Sequence, residues 1–183
     1  QESIYVPATI DADIWKFKEN GNGTTAGTIK IIQVAGNLDL RGDVKGVGYT
    51  AQAVKRLKDS GYNIDFTMVD RVPSRSMPSV IGKADIVVDN LLYGWYGLTG
   101  IEAMALGKPV VAYLREPWLQ FHCEQFPRPP IVEAHPQDLF NILKQLISKE
   151  DLARVGFEGR RYVEEVHDSL KIGRRLIELY SSA

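Results

Sequence analysis

Apolar residues along the chain form two kinds of run that alternate. Short, nearly continuous runs rich in β-branched residues occupy Ile29 to Val34 (IKIIQV), Ile64 to Val69 (IDFTMV), Ala84 to Val88 (ADIVV) and Pro109 to Tyr113 (PVVAY). Such runs predict strands buried on both faces, as in parallel sheets, and not the strict alternation of a strand with one wet face. Between the first two, Thr50, Ala53, Val54 and Leu57 recur at helical spacing, Gln52, Lys55, Arg56 and Lys58 turn outward, and Gly61 marks the stop. After the fourth run, Trp118 to Pro130 contains FPRPP; proline fixes φ and removes donors, which predicts a loop over this stretch. Pro136 suits the first turn of a helix carrying Leu139, Ile142, Leu143 and Ile147 on one face. Two more helical stretches follow, the last striped by Ile172, Leu176, Leu179 and Tyr180. No internal repeat or low-complexity segment is visible. Strands alternating with helices predict an α/β class, a Rossmann-like doubly wound parallel sheet.

Composition narrows the partners. The chain's 183 residues fit one domain, and 44% hydrophobic with 25% charged residues is ordinary globular usage, so a packed core is expected. A formal net charge of −1 offers no basic footprint for nucleic acid. No apolar run approaches the ~20 residues of a bilayer span, and no signal segment opens the chain. The single Cys123 excludes an intramolecular disulfide and suits a reducing cytoplasm. His122 beside it invites a metal reading, but His135 and His167 stand at no ligand spacing, so the pair reads as part of a loop and no metal is expected. The start at Gln1 in place of Met reads as the mark of a fragment.

The chemistry concentrates in Ala84 to Tyr113, ADIVVDNLLYGWYGLTGIEAMALGKPVVAY, which reads as strand, glycine-punctuated turn, short helix and strand. Gly94, Gly97 and Gly100 allow a ligand close to the backbone. Gly97, Leu98 and Thr99 are expected where the helix begins, and free N–H groups with the helix dipole suit an anion there, a phosphate above all. Glu102 follows Thr99 at capping-box spacing, in which both residues merely satisfy backbone donors. Spacing alone leaves the capping and ligand roles open. Gly107 and Pro109 around Lys108 read as a helix stop.

The stretch GLTGIEAMALGKPVVAY resembles the signature of retaining GT-B glycosyltransferases, the group 1 enzymes that include glycogen synthases. In that family a glutamate, seven intervening residues and a second glutamate precede Ala-Met-Ala and Gly-x-Pro-Val-Val. The second falls on Glu102, and the resemblance implies that it accepts hydrogen bonds from the donor's ribose hydroxyls while the helix start holds the diphosphate. The first, which contacts the donor sugar, falls on Gly94; sugar contacts then pass to Asp89, Asn90, Tyr93 or Trp95, or the donor is bound without efficient turnover. In AGNLDLRGDVKGVGY the family's Lys-Gly pair matches Lys45 and Gly46, and its arginine slot is Asn37 or Arg41, with Arg41 preferred. Fixed cations there stabilise charge growing on the departing diphosphate; the plain alternative is a solvated charged loop. Asp70, Arg71, Val72 and Pro73 stand where relatives contact the base through backbone groups, and YVPATIDADIWKF resembles the segment entering from the interdomain linker.

The resemblance covers nearly the whole chain and implies that residues 1–183 are the C-terminal half of a GT-B two-domain fold. It further implies a UDP- or GDP-sugar donor, hexosyl transfer with retention, a sugar or lipid-linked sugar acceptor from cell-surface polysaccharide synthesis, and an acceptor-binding N-terminal domain outside this sequence. No cofactor is implied; the location is cytoplasmic, peripheral to a membrane through the absent domain. An apolar rim of Leu91, Leu92, Trp95 and Tyr96 is expected to stand partly exposed for that domain.

Three other functions compete. Gly46, Gly48 and Ala51 form G-x-G-x-x-A with Asp70 near the place of a ribose-binding acid, as in an NAD-dependent oxidoreductase, but the glycines lie about a dozen residues past the strand, whereas the fingerprint needs the turn at the strand end. Retention of NADH without UDP or GDP binding discriminates in its favour. A non-catalytic nucleotide-sugar module or an epimerase would use the same fold; donor turnover with and without acceptor separates these.

Overall fold

The computed structural model describes residues 4–16, 27–36, 43–147 and 149–181. Five strands form one sheet: β1 Ile29–Gly36, β2 Ile64–Asp70, β3 Ile86–Val88, β4 Val110–Ala112 and β5 Val132–Glu133. Their order is β2-β1-β3-β4-β5 and every neighbouring pair is parallel. Among the described residues the helices are α1 Val47–Asp59, α2 Met77–Ile81, α3 Leu98–Ala105, α4 Glu116–Cys123, α5 Leu139–Leu146, α6 Lys149–Val166 and α7 Ser169–Ser181, with a 3-10 turn at Ser74–Ser76 before α2.

Successive strand residues face opposite sides, which is why the runs are apolar throughout. Ile31, Ile86, Val88 and Val111 pack with Ala53, Val54 and Leu57 of α1 and Leu139 and Leu143 of α5. On the other face Ile32, Val87 and Val110 pack with Ile81 of α2, Ile101 and Met104 of α3, and Val163 of α6. Three layers result, helix on sheet on helix. Among the described residues no helix is long and apolar enough to cross a membrane.

The pattern misplaces several features. Trp118 to Cys123 is helical, not loop: Pro117 sits in the first turn of α4, where proline is tolerated, and only the later prolines break the helix. His122 and Cys123 are therefore helical, His122 buried and Cys123 exposed. The two-residue β5 after Pro130 is too short for any periodicity to reveal. β2 is an edge strand and leaves Asp65, Thr67 and Met68 exposed, so it is not buried on both faces. On α5 Leu139, Leu143 and Leu146 fill the core, while Ile142 and Ile147 are half-buried. On α7 only Ile172 is buried, and Tyr180 projects from the surface.

The winding places a crevice. From β1 the chain moves outward to β2, then returns past β1 to build β3, β4 and β5 on the other side. At this switch point the loops after β1 and β3 diverge to opposite faces, leaving an opening at the carboxyl ends of the strands.

Candidate functional site

Gln33, fully buried on β1, knits the two loops at the switch point: its Nε2 donates to the carbonyls of Lys45 and Asp89, both at 3.1 Å. The Leu91 N–H adds a third tie to the Lys45 carbonyl at 3.1 Å. Asp43 fixes the start of α1, its carboxylate accepting from the N–H groups of Val47 at 2.6 Å and Gly48 at 2.8 Å. The Lys45 backbone is held in this way, and its Nζ reaches Asp89 Oδ1 at 3.1 Å. Asp89 is fully buried, and its Oδ2 accepts from the Gly97 N–H at 2.6 Å. Both of its oxygens are engaged by the protein in this arrangement, so Asp89 organises the crevice.

Gly97 is the N-cap of α3. Thr99 is therefore the second helical residue and Glu102 the fifth, and no side-chain cap bond forms, so the two are no capping box. The N–H groups of Leu98 and Thr99 have no acceptor among the described residues. Glu102 is 7% exposed and makes no hydrogen bond or ion pair with a described residue. Burial, and next the Asp89 carboxylate, push its pKa up to about 7 against the opposing pull of Lys45. The Glu102 oxygens are not sealed from solvent, so water or the donors of a ligand can complete them.

The remaining predicted residues scatter around this centre. Gly46 is buried at the N-cap of α1, under Leu91 and Leu92. Asn90 Nδ2 donates to the Trp95 carbonyl at 3.0 Å, closing the 90–95 loop on itself. Tyr93 is exposed, and Trp95 is half-buried with its ring 4.8 Å from that of Tyr96. Gly94 has φ of 88°, and a Cβ there would stand 3.0 Å from the Arg115 Cβ. At the end of β2, Arg71 adopts φ of 51° with its Nε 3.3 Å from Asp70 Oδ2, and Val72 packs on the core. Arg41, like Asn37, lies outside the described residues. The expected apolar rim is only half present: Leu91 and Tyr96 are buried, whereas Leu92, and more strongly Tyr93, Leu98 and Trp118, are exposed.

A buried polar chain behind the α3 start has no signature in the sequence, because its members lie far apart along it. Tyr96 Oη lies 3.0 Å from Tyr162 Oη and 3.1 Å from His167 Nε2; Tyr162 Oη is 2.6 Å from His122 Nε2, and His167 Nδ1 is 2.7 Å from the Ala8 carbonyl. One neutral arrangement gives every contact a single proton. His167 Nδ1–H donates to Ala8, Tyr96 donates to His167 Nε2, Tyr162 donates to Tyr96, and His122 Nε2–H donates to Tyr162. In that arrangement His122 Nδ1 is unprotonated; it makes no hydrogen bond with a described residue, while the Pro127 carbonyl favours the protonated ring. Burial lowers the pKa of His122, and lowers that of His167 to about 4 against the opposing Ala8 carbonyl. Among the described residues no three His, Cys, Asp or Glu side chains gather as metal ligands.

The dinucleotide alternative fares poorly in this geometry. Its pyrophosphate would need the N–H groups opening α1, and Asp43 already takes those of Val47 and Gly48. Gly46 also lies well beyond Gly36, where β1 ends.

No protein-family model matches the chain, and no curated protein matches it. Solved structures do. The chain is similar to sucrose-phosphate synthase from Thermosynechococcus elongatus at 20% identity and a TM-score of 0.65, covering 97% of this chain and 51% of that one. It is similar to the C-terminal domain of the group 1 glycosyl transferase LpcC from Francisella tularensis at 17% identity and a TM-score of 0.64, covering 87% and 99%. It is also similar to Anabaena HepE in complex with UDP and glucose, at 16% identity and a TM-score of 0.64, covering 97% and 56%. The chain thus spans about half the length of the first and third and matches nearly all of the second. Its fold is the Rossmann-like fold of GT-B glycosyltransferase C-terminal domains.

Proposed function

We propose that this chain is the donor-binding half of a group 1 glycosyltransferase, acting on a UDP- or GDP-sugar. The observation that carries the reading is the convergence of Lys45, Glu102 and the uncapped N–H groups of Leu98 and Thr99 on the β1/β3 switch point. The diphosphate sits at the α3 start, where the N–H groups and the helix dipole favour an anion. Lys45 turns from Asp89 toward the departing oxygen, where a fixed cation stabilises the transition state more than the ground state. Glu102 accepts the ribose hydroxyls, which supply the donors its buried carboxylate lacks. Arg71 and Val72, beside the crevice at the end of β2, offer backbone groups to the base. HepE, of the same fold, was solved with UDP and glucose, which supports a nucleotide-sugar ligand here. In the full protein a further domain binds a sugar or lipid-linked sugar acceptor, and the hexosyl group passes to it with retention, in the cytoplasm.

Calorimetric titration with UDP and GDP tests this. One of the two binds, and Lys45→Ala weakens it ~10- to 100-fold, the scale of one charge-assisted hydrogen bond at ~1.5–3 kcal/mol. Glu102→Ala weakens the nucleotide but not inorganic pyrophosphate, because its partner is ribose. Unchanged affinity in folded Lys45→Ala removes Lys45 from the site; no binding of either nucleotide sinks the reading.

A further inference from the structure

A cavity of about 650 Å³ opens beside the α3 start. It shares Gly97 and Leu98 with that start, yet none of Lys45, Asp89 and Glu102 lines it. Its size is that of a small-ligand site, ~300–1,000 Å³. Tyr5, Tyr93, Trp95, Trp118 and Phe121 give it aromatic walls, and among the described residues Arg115 is its one lining side chain with a permanent charge. No carboxylate lines it among the described residues. His122 and His167 also line it, and burial favours their neutral forms.

Among the described residues no side chain neutralises Arg115. Its guanidinium makes no hydrogen bond or ion pair with a described residue, and the adjacent Glu116 is engaged by Gln120 Nε2 at 3.1 Å. Its Cβ stands 3.0 Å from where a Cβ on Gly94 would be, and its N–H donates to the Gly94 carbonyl at 2.8 Å. The position at which the resemblance places a glutamate for neutral hydroxyls is thus bare backbone packed against an arginine.

We infer that this cavity binds a pyranose bearing a carboxylate, its ring against the aromatic walls and its carboxylate on the Arg115 guanidinium. A planar guanidinium matches a carboxylate through two parallel hydrogen bonds, and an acid-free, aromatic-walled pocket favours that anion over neutral sugars. The proposed function enters only in deciding which substrate carries the sugar. Joined to the diphosphate at the α3 start, it belongs to the donor; free, it belongs to the acceptor.

The test uses the 183-residue chain, with Trp95 and Trp118 fluorescence and calorimetry as readouts. The donor arm compares UDP-glucuronate with UDP-glucose and GDP-mannuronate with GDP-mannose. The acceptor arm compares methyl glucuronide with methyl glucoside, without nucleotide. In one arm the acidic sugar binds about 10-fold tighter or better, as one charge-assisted contact gives. Arg115→Gln, at an exposed position, abolishes that preference, and Arg115→Lys retains part of it. If UDP and GDP fail to bind but methyl glucuronide binds in an Arg115-dependent way, the proposed function falls and the cavity assignment stands. Equal affinity for acidic and neutral sugars in both arms overturns it, as does a preference that survives Arg115→Gln.

Discussion

At residue 94 a side chain and the backbone compete for one space. Gly94 holds φ of 88°, a region costly to L-residues, and an added Cβ would meet the Arg115 Cβ at 3.0 Å and the Tyr113 ring at 3.7 Å. Restoring the family's carboxylate by Gly94→Glu is expected to destabilise by ~1–3 kcal/mol, the range for strain and overpacking, measured by urea unfolding. Unchanged stability would show that the 90–95 loop relaxes and that the position is free to carry a glutamate. The obstacle is not visible in the sequence around Gly94, because Arg115 and Tyr113 come from the loop after β4. The same limit runs through the site. Lys45 and Glu102 were legible because a motif fixes them in a line of sequence. Gln33 was not, since one glutamine in an apolar run has meaning only when the loops it joins are known. Asp89 drew notice as a sugar ligand, but its burial between Lys45 and Gly97 is a tertiary fact.

Among the elements, the sheet was the most legible and the shorter helices the least, because period-2 and period-3.6 patterns need length to stand out. α4 was hidden by prolines that follow it. The packing of α6 on α3 was equally invisible, for it depends on glycines that helix propensity disfavours. A methyl on Gly156 would collide with the Gly107 carbonyl, and one on Gly159 would lie 3.1 Å from Met104 Cγ. Arg160 completes the join, its Nη1 donating to the carbonyls of Ala105 at 2.8 Å, the last residue of α3, and of Trp15 at 2.7 Å. In α7, a Cβ on Gly173 would meet nothing within 4 Å. Gly156 and Gly173 therefore predict opposite signs. Gly173→Ala should stabilise by roughly 0.5–1 kcal/mol through propensity alone. Gly156→Ala gains the same term but forces a backbone carbonyl aside, and overpacking of ~1–3 kcal/mol wins, for a net loss. Thermal and urea unfolding of the two variants checks this; a gain in both would mean that α6 does not lie against the Gly107 turn.

Across the whole molecule, two buried groups far apart in sequence give stability opposite dependences on pH. His167 is held neutral by burial with a pKa of about 4 against an ordinary 6.5. Between those values the unfolded chain takes up a proton that the folded chain refuses, so stability falls as pH falls through the window. Glu102 is raised by burial and by Asp89 to about 7 against an ordinary 4.5. There the folded chain keeps a proton that the unfolded chain releases, so stability falls as pH rises. Each contribution amounts to at most ~3–4 kcal/mol over its window, at ~1.4 kcal/mol per pH unit. Between about pH 4.5 and 6.5 the windows overlap and the slopes cancel, so this pair leaves the native protein's stability nearly flat there. Removing one member should expose the other. Glu102→Gln is expected to become more stable with rising pH across that range, relative to the native chain, and His167→Gln to become less stable. The comparison rests on slopes, because His167→Gln also removes hydrogen bonds to Tyr96 and Ala8 and lowers stability at every pH. Urea midpoints at half-unit steps from pH 4.5 to 7.5 supply those slopes. A Glu102→Gln profile parallel to the native one would mean that the Glu102 carboxylate is not raised in the folded protein, and with it would go the unpartnered buried carboxylate on which its role toward ribose depends.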